Sequence, residues 1–376
     1  MDSSDKINSF NNNFNNLQST DSDVYNKNNY SNDLFIINYN NNYTQNNALN
    51  NNNNSNNEST KKNTKYSSNN SVTITDNICN ICILKNKYFC YLDEYCKILK
   101  IKDFDKFKLK IDDKNSNSEI NYILGLSDGR LLICNLDNLI KIIEIDYETK
   151  NNKFTNILKG HSNLITKVIE LKNGKLCSCS FDGYIKLWKK NIDNSYELEI
   201  NLNFFENGKF YSLLEVNEII FSLLNFTNKK FLYFKNLNNK EERIKELNNI
   251  NLKRENLIQL DNNHLIIGGN YVIYIYEINS NKEIEIKCDY IICSLYLLND
   301  EGILFGDNKG ILVKIKNIYK FEIIFKQHVI KDEIDPEIDS LGEFDNDKIY
   351  FICYKNKKCY KNKSCYYFGE KKIIYN

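Results

Sequence analysis

The sequence contains very little of the residues that usually end strands or build helices. It has one Pro, Pro336, and 13 Gly in 376 residues, and Ala is nearly absent. Because Ala is the best helix former, its near absence argues against a helical fold, whereas the abundant Ile, Phe and Tyr favour strands. With so few Gly and Pro, Asn and Asp must form most of the turns, since they also tolerate a left-handed backbone.

The chain also lacks an excess charge and a long apolar run. Lys and Arg number 50 against 49 Asp and Glu, so binding to nucleic acid or to a membrane surface through overall charge is not expected. The N-terminus has no apolar run of the kind found in signal peptides, and no stretch reaches the ~18 apolar residues of a membrane span. We therefore expect a soluble cytoplasmic protein, and a nuclear location stays open.

Histidine and paired cysteines are scarce as well. The three His are well separated, and the 12 Cys are expected to be reduced, buried apolar side chains. Cys79 and Cys82 form a CxxC sequence, but no second close pair follows, so ordinary strand residues are the favoured interpretation. We expect no metal site, no cofactor and no catalytic residue.

Residues 1–71 differ in composition from the rest of the chain. Asn occupies 26 of these 71 positions, and Ser, Thr and Tyr fill most of the gaps. Such a segment buries too little apolar surface to offset the entropy of ordering it. We predict a disordered, low-complexity tail at 1–71 and one folded domain at 72–376.

The folded domain is built from a repeat. Residues 165–175 align without a gap on residues 120–130, 45 positions earlier, with matching apolar positions, a matching Asn/Asp-Gly turn and a matching basic residue. With one- or two-residue gaps, short apolar runs separated by turn residues give seven units of roughly 40 to 45 residues, the period of propeller blades. The predicted fold is therefore all-β, a single β-propeller of seven four-stranded blades. Residues 72–75 are predicted to supply the outer strand of the last blade and so close the ring.

Residues 156–190 resemble one repeat of the WD-repeat β-propeller family. They contain Gly160-His161, then Asp182-Gly183, then Leu187-Trp188, with Lys189 where the family often has Asp. The other units keep the period without these residues, although Lys326-Gln327-His328 aligns with Lys159-Gly160-His161.

The resemblance implies a structural hydrogen-bonded tetrad. In the family, the loop His bonds the turn Asp, and a Ser or Thr of the second strand links the His to the Trp indole. The matching residues here are His161, Asp182, Trp188 and either Ser178 or Ser180. A buried indole N–H needs a partner, which is consistent with this network. The combination of Ser, His and Asp lacks a nucleophile elbow and an identifiable oxyanion hole, so a hydrolase is disfavoured.

A function follows only by analogy with other propellers. We expect a non-catalytic scaffold or adaptor subunit, monomeric by itself, which binds protein partners on the face that carries His161 and Asp182. The alternatives are a substrate receptor of a ubiquitin-ligase-type complex and a propeller associated with RNA processing. The last unit is the most unusual in charge, and its candidate partner-binding residues are Asp332, Glu333, Asp335, Lys355, Lys357, Lys358, Tyr360 and Lys361. A solvated acidic loop beside a basic hairpin is the simpler interpretation of these residues.

Overall fold

All elements that the structure describes are β-strands. The computed structural model describes residues 81–83, 89–92, 98–103, 107–112, 120–149, 151–203, 207–239, 241–328, 336–345, 348–356 and 364–372. No helix in these stretches is long and apolar enough to cross a membrane. The tail predicted at 1–71 and the closing strand predicted at 72–75 lie outside the described residues.

The first sixteen strands form four antiparallel sheets of four strands, each a simple meander. Blade 1 contains β1 (Ile81–Ile83), β2 (Phe89–Leu92), β3 (Ile98–Asp103) and β4 (Phe107–Asp112). Blade 2 contains β5 (Ile120–Gly125), β6 (Leu131–Asn135), β7 (Ile140–Asp146) and β8 (Asn151–Leu158). Blade 3 contains β9 (Ile165–Glu170), β10 (Leu176–Ser180), β11 (Tyr184–Lys190) and β12 (Tyr196–Asn203). Blade 4 contains β13 (Lys209–Val216), β14 (Ile219–Phe226), β15 (Lys229–Asn236) and β16 (Glu242–Glu246).

The remaining strands form the last three blades. Blade 5 contains β17 (Leu257–Gln259), β18 (His264–Gly268), β19 (Asn270–Glu277) and the first part of β20 (Lys282–Leu297). Blade 6 contains the second part of β20, β21 (Ile303–Asp307), β22 (Ile311–Asn317) and β23 (Glu322–His328). Blade 7 contains β24 (Pro336–Asp345), β25 (Lys348–Asn356) and β26 (Ser364–Lys372).

The sixteen-residue strand β20 belongs to two blades. Its first part pairs with β19, from Lys282 opposite Glu277 to Lys287 opposite Val272. Its second part pairs with β21, from Ile292 opposite Asp307 to Leu297 opposite Ile303. The seven-stranded sheet β17–β23 is therefore two blades joined without a loop. The predicted seven-bladed all-β propeller is confirmed.

Asn forms many of the turns, as the shortage of Gly predicts. Among the described residues, left-handed φ values at non-glycine positions fall mostly on Asn, at 138, 194, 207, 217, 228, 249 and 281. Asp side chains complete other turns by accepting the backbone N–H two residues later, for example Asp128 from Arg130 at 3.1 Å and Asp193 from Ser195 at 2.9 Å. Short polar side chains therefore replace the missing Gly and Pro.

The apolar core is divided into layers that lie between neighbouring blades. Trp188 of blade 3 packs with Leu132 and Ile142 of blade 2, and Leu304 of blade 6 packs with Ile338 of blade 7. Because each described layer is shared by two blades, none of blades 2 to 7 buries its faces alone.

A side-chain hydrogen bond ties the inner strand of each of blades 2 to 6 to the inner strand of the following blade. In blades 2 to 7 the donor is an amide or hydroxyl of one blade, and the acceptor is a backbone carbonyl of the following blade. The five bonds are Asn121 Nδ2 to Ile165 O (2.7 Å), Thr166 Oγ1 to Phe210 O (2.8 Å), Ser212 Oγ to Arg254 O (2.9 Å), Asn256 Nδ2 to Ile292 O (2.8 Å) and Ser294 Oγ to Ile338 O (2.7 Å).

Irregularities in the inner strands make these carbonyls available. The pairing shifts by one residue after Phe210, Ile292 and Ile338 and also at Thr166. Such a bulge disrupts the ladder and leaves backbone groups without a partner in their own sheet. The side chain from the preceding blade then supplies the missing donor.

We expect Thr166→Val to destabilise the domain by about 1–3 kcal/mol, because this near-isosteric change removes the hydroxyl that donates to the Phe210 carbonyl in a buried site. Thr155→Val is the matched control, since Thr155 is exposed on outer strand β8 and bonds only Ile142 O at 3.3 Å. The free energy of unfolding from urea titrations measures both variants. Equal losses for the two would refute a role for the inter-blade bond.

Candidate functional site

Blade 3 holds a buried chain of four hydrogen-bonded side chains. The Trp188 indole N–H donates to Ser178 Oγ at 2.9 Å, Ser178 Oγ lies 2.7 Å from His161 Nε2, and His161 Nδ1 lies 2.8 Å from Asp182 Oδ2. His161 comes from the connection between β8 and β9, Ser178 from β10, Asp182 from the following turn and Trp188 from β11. The chain therefore fixes three strands and a loop to one another.

The other candidate serine, Ser180, has a separate role. Its hydroxyl donates to Asn163 O at 3.0 Å and accepts the Asp182 N–H at 3.0 Å. Ser180 thus holds the turn that carries Asp182, whereas Ser178 is the link between histidine and tryptophan. The sequence left these two serines as alternatives, and the structure brings both into the same network.

The directions of the bonds are consistent with a neutral imidazole. Ser178 accepts from the indole and so donates to His161 Nε2, which leaves Nδ1–H to donate to Asp182. Burial lowers the pKa of His161, although Asp182 acts in the opposite direction. For Asp182, burial alone would raise the pKa, but hydrogen bonds from His161 and from the N–H groups of Ser162 and Tyr184 lower it below its ordinary value.

The network has no exposed nucleophile. Ser178 and Ser180 are fully buried, and the hydroxyl of each already makes two hydrogen bonds. The side chain of His161 is fully buried, and its Nε2 is bonded to Ser178 Oγ. What the arrangement can do is hold the loop at 159–164 and the turn at 181–183 rigidly on one face.

In blades 2 and 6, the strand positions that correspond to the tetrad residues hold other side chains. In blade 2, Ile143 lies opposite Leu131 as Trp188 lies opposite Leu176 in blade 3. In blade 6 the positions of His161, Ser178 and Trp188 belong to Cys288, Phe305 and Ile315, which pack in one apolar layer. Apolar packing therefore replaces the polar network there.

His328 does not occupy the loop position that its alignment with His161 predicts. It is the last residue of β23, is exposed and pairs with Ile311. By strand register, the residue equivalent to Leu158, which ends β8, is Gln327. His328 therefore belongs to the strand and not to a loop three residues beyond it.

The two faces of the propeller are defined by the strand connections. At one face, each outer strand leads into the inner strand of the next blade, and the second strand of each blade turns into the third. We call this the Asp182 face. We call the opposite one the Asp128 face, because Asp128 lies in its β5–β6 turn. The connections and turns at this end form the Asp182 face, and the side chains of His161 and Asp182 are buried beneath it.

The candidate partner-binding residues of blade 7 lie almost entirely outside the described residues. This applies to Asp332, Glu333, Asp335, Lys357, Lys358, Tyr360 and Lys361. Lys355 lies in β25 opposite Pro336, the first residue of β24. This pairing places the end of β25 beside the start of β24.

An enlarged bulge in blade 5 was not anticipated from the sequence. Gly268 accepts from Asn251 N at 3.2 Å and donates to Asn256 O at 3.0 Å, so the four residues between Asn251 and Asn256 have no place in the ladder. A Cβ on Gly268 would lie 2.6 Å from Ile292, which explains the glycine opposite the bulge. The only signal in the sequence is the charged triplet Lys253-Arg254-Glu255 directly before a strand.

The bulge sends Arg254 across the propeller axis. Its Nη1 donates to Asn121 O of blade 2 at 3.1 Å, and its guanidinium lies 5.0 Å from the Tyr122 ring centroid. Blades 2 and 5 are three positions apart in a ring of seven, so this side chain bridges nearly opposite walls of the channel.

Two ion pairs flank this bridge. Lys167 of blade 3 contacts Glu255 at 3.1 Å, and Lys253 contacts Glu337 of blade 7 at 2.7 Å. The channel mouth on the Asp182 face is therefore crossed by charged side chains from several blades.

His264, Cys177 and Cys179 lie in strands. His264 is the first residue of β18 and contacts Asp261 at 2.8 Å. Burial raises the pKa of the Cys177 thiol and brings that of Cys179 to about 12, so both stay protonated as apolar side chains. Among the described residues, no group of three or more His, Cys, Asp or Glu is placed to hold a metal ion.

Comparison with solved structures places the chain among β-propellers. No protein-family model and no curated protein matches the sequence. A chain in the "Crystal Structure of Mitotic Checkpoint Complex" has a TM-score of 0.62 and 12% identity, over 89% of this chain and 100% of that one. The "Structure of U3-55K" has a TM-score of 0.57 and 13% identity, over 78% of this chain and 95% of that one. At this identity the likeness establishes the fold: the chain is a seven-bladed β-propeller.

Trp188→Ala should lower the free energy of unfolding by about 3–5 kcal/mol, because it removes a large buried ring. Trp188→Phe keeps most of the ring and loses the indole N–H, so a smaller loss of about 1–2 kcal/mol is expected. Urea titration of both variants tests the assignment. A loss below about 1 kcal/mol for Trp188→Ala would contradict the burial of this ring.

Stability should decrease as the pH falls below the ordinary His value of 6.5, because the pKa of His161 is lower in the folded protein. The unfolded chain then binds more protons than the folded one, so acid favours unfolding. The pKa of Asp182 is also lowered, but from 3.8, so it contributes only at much lower pH. His161→Gln should show a weaker pH dependence between about pH 7 and 5. An unchanged slope of unfolding free energy against pH would refute this role of His161.

Proposed function

We propose that this chain is a non-catalytic scaffold that binds protein partners through the Asp182 face. The observation that carries the proposal is that Ser178, His161 and Asp182 are bonded to one another in a buried network, which holds that face rigidly and leaves its turns as the surface for contact. Binding residues are commonly found on loops held by a rigid scaffold. By its title, one of the structural neighbours belongs to a multi-protein complex.

Membership of the WD-repeat family is part of the same proposal. The tetrad of residues 156–190 and the propeller fold both support it, while the other blades lack the motif. The blade 7 candidates, from Asp332 to Lys361, are proposed as a second part of the partner surface. A role as a receptor subunit for a ubiquitin-ligase-type complex is a narrower form of this proposal, and no described feature favours it.

Tyr271 is the most informative residue for a test. It lies at the tip of the β18–β19 turn on the Asp182 face, is 55% exposed and has a left-handed φ of 63°. An aromatic side chain displayed in this way is a common anchor in protein interfaces, and left-handed backbone is unfavourable for a bulky residue. Ile192, fully exposed in the β11–β12 turn, is its counterpart on the Asp128 face.

Tyr271→Asn should remove partners from the purified complex, and Ile192→Asn should not. Asn accepts the left-handed backbone at position 271, so the fold is retained. The measurement is quantitative mass spectrometry of proteins that co-purify with the wild type, with each variant, and with a Lys357→Glu, Lys358→Glu, Lys361→Glu variant. Loss of partners with Ile192→Asn alone would place docking on the Asp128 face. Absence of any specific partner of the wild type would overturn the scaffold proposal.

A further inference from the structure

On the Asp182 face, cations outside ion pairs outnumber carboxylates outside ion pairs among the described residues. Among the described residues of this face, most carboxylates are already bound to a cation or to histidine. These are Asp137 with Lys141, Asp182 with His161, Glu246 with Lys229, Glu255 with Lys167, and Glu337 with Lys253. Asp307 is buried, and its Oδ1 accepts two backbone N–H groups. Among the carboxylates that the structure describes on this face, only Asp289 is both exposed and outside an ion pair.

Several cations of this face have no carboxylate within ion-pair distance in the described part of the chain. Lys159 follows β8, Lys309 lies in the β21–β22 turn, and both are exposed. Lys326 is exposed near the end of β23, where its ammonium lies 5.1 Å from the Tyr290 ring centroid. These three side chains, from the connections and strand ends of blades 2 and 6, are exposed and form no ion pair with the described residues, although Asp307 and Asp289 attract Lys326 and Asp307 attracts Lys309.

Arg254 adds a directional site at the channel mouth. The bridge to Asn121 O uses Nη1, and the described residues offer no carboxylate to the rest of the guanidinium. Its guanidinium carbon also lies 5.0 Å from the Tyr122 ring centroid. A planar guanidinium with free N–H groups is suited to a carboxylate, which it binds through two parallel hydrogen bonds.

The Asp128 face has a different balance of charges outside ion pairs. On the Asp128 face, Arg130 and Lys190 share Asp128, and Lys175 is paired with Glu199. Exposed carboxylates outside ion pairs are common there, among them Glu148, Asp193, Glu218, Glu301 and Glu322. The described part of the Asp128 face therefore does not have the excess of unpaired cations seen on the Asp182 face.

We infer that the partner segment bound on the Asp182 face is an acidic peptide, whose carboxylates are received by Arg254 at the channel mouth and by Lys159, Lys309 and Lys326 around it. This inference rests on the proposed function and specifies the chemistry of its partner. Charge complementarity of this kind sets partner choice and association rate.

A nucleic acid fits the same surface less well. A phosphate backbone requires a continuous basic groove, whereas the unpaired cations here are separated by Glu246, Glu255 and Glu337. The chain as a whole carries a net charge of only +1. Discrete carboxylates on a flexible peptide can avoid the acidic residues, and a regular row of phosphates cannot.

The test is fluorescence anisotropy with a labelled peptide of alternating Glu and Ser. We expect wild-type binding that weakens with added salt, and about tenfold weaker binding by the triple variant Lys159→Glu, Lys309→Glu, Lys326→Glu. The matched control reverses three exposed lysines of the Asp128 face, Lys172→Glu, Lys282→Glu and Lys320→Glu, and should bind as the wild type does. Replacing the first three lysines by Arg should preserve binding, and Arg254→Lys should weaken it while the melting temperature reports on folding.

Three results would overturn the inference. They are preference for a Lys-Ser peptide of the same length, binding of oligouridylate without binding of the acidic peptide, and equal weakening by both charge-reversal variants. If the acidic peptide does not bind while Tyr271→Asn still removes co-purified partners, docking on this face stands and only the acidic chemistry is wrong. If neither occurs, both proposals are wrong.

Discussion

The propeller depends on the supply of hydrogen-bond donors from each blade to the next. An inner strand that bulges gains local twist but leaves a carbonyl without a partner in its own sheet. The side chains of Asn121, Thr166, Ser212, Asn256 and Ser294 restore that partner from the preceding blade. The apolar layers follow the same rule, because every layer is shared by two blades. No described blade satisfies both its polar and its apolar groups alone.

Blade 3 and blade 6 show two solutions to one packing problem. In blade 3 the space between loop, turn and third strand contains Trp188, Ser178 and His161, and directional bonds hold it together. In blade 6 the corresponding space contains Phe305, Ile315 and Cys288, and contact between apolar surfaces is sufficient. The other blades can therefore lack the sequence motif and keep the same blade geometry. That geometry requires the space between loop, turn and third strand to be packed, but it does not require a hydrogen-bonded network.

The period, the strand class and the tetrad of blade 3 could be predicted from the sequence, because they depend on local alternation and on residue types at fixed spacing. The choice between Ser178 and Ser180 could not, since both are small and polar on the same strand, and only the register opposite Lys186 separates them. His328 was misassigned because a Lys-x-His sequence occurs equally well in a strand. The enlarged bulge that carries Arg254 was missed for a similar reason. Its partner Asn121 is 133 positions away, and such a contact leaves no pattern in a single sequence.

Strand β20 gives two blades a common backbone. At the described boundaries between blades 2 and 3 and between blades 4 and 5, a loop separates the outer strand of one sheet from the inner strand of the next, and a loop can lengthen under tension before either sheet breaks. Between blades 5 and 6 no such slack exists, because Lys282–Leu297 is one continuous strand. Force applied to either blade passes directly to the hydrogen bonds of the other. This pair is therefore a single mechanical unit within the ring, and an insertion at this boundary would disturb two sheets at once.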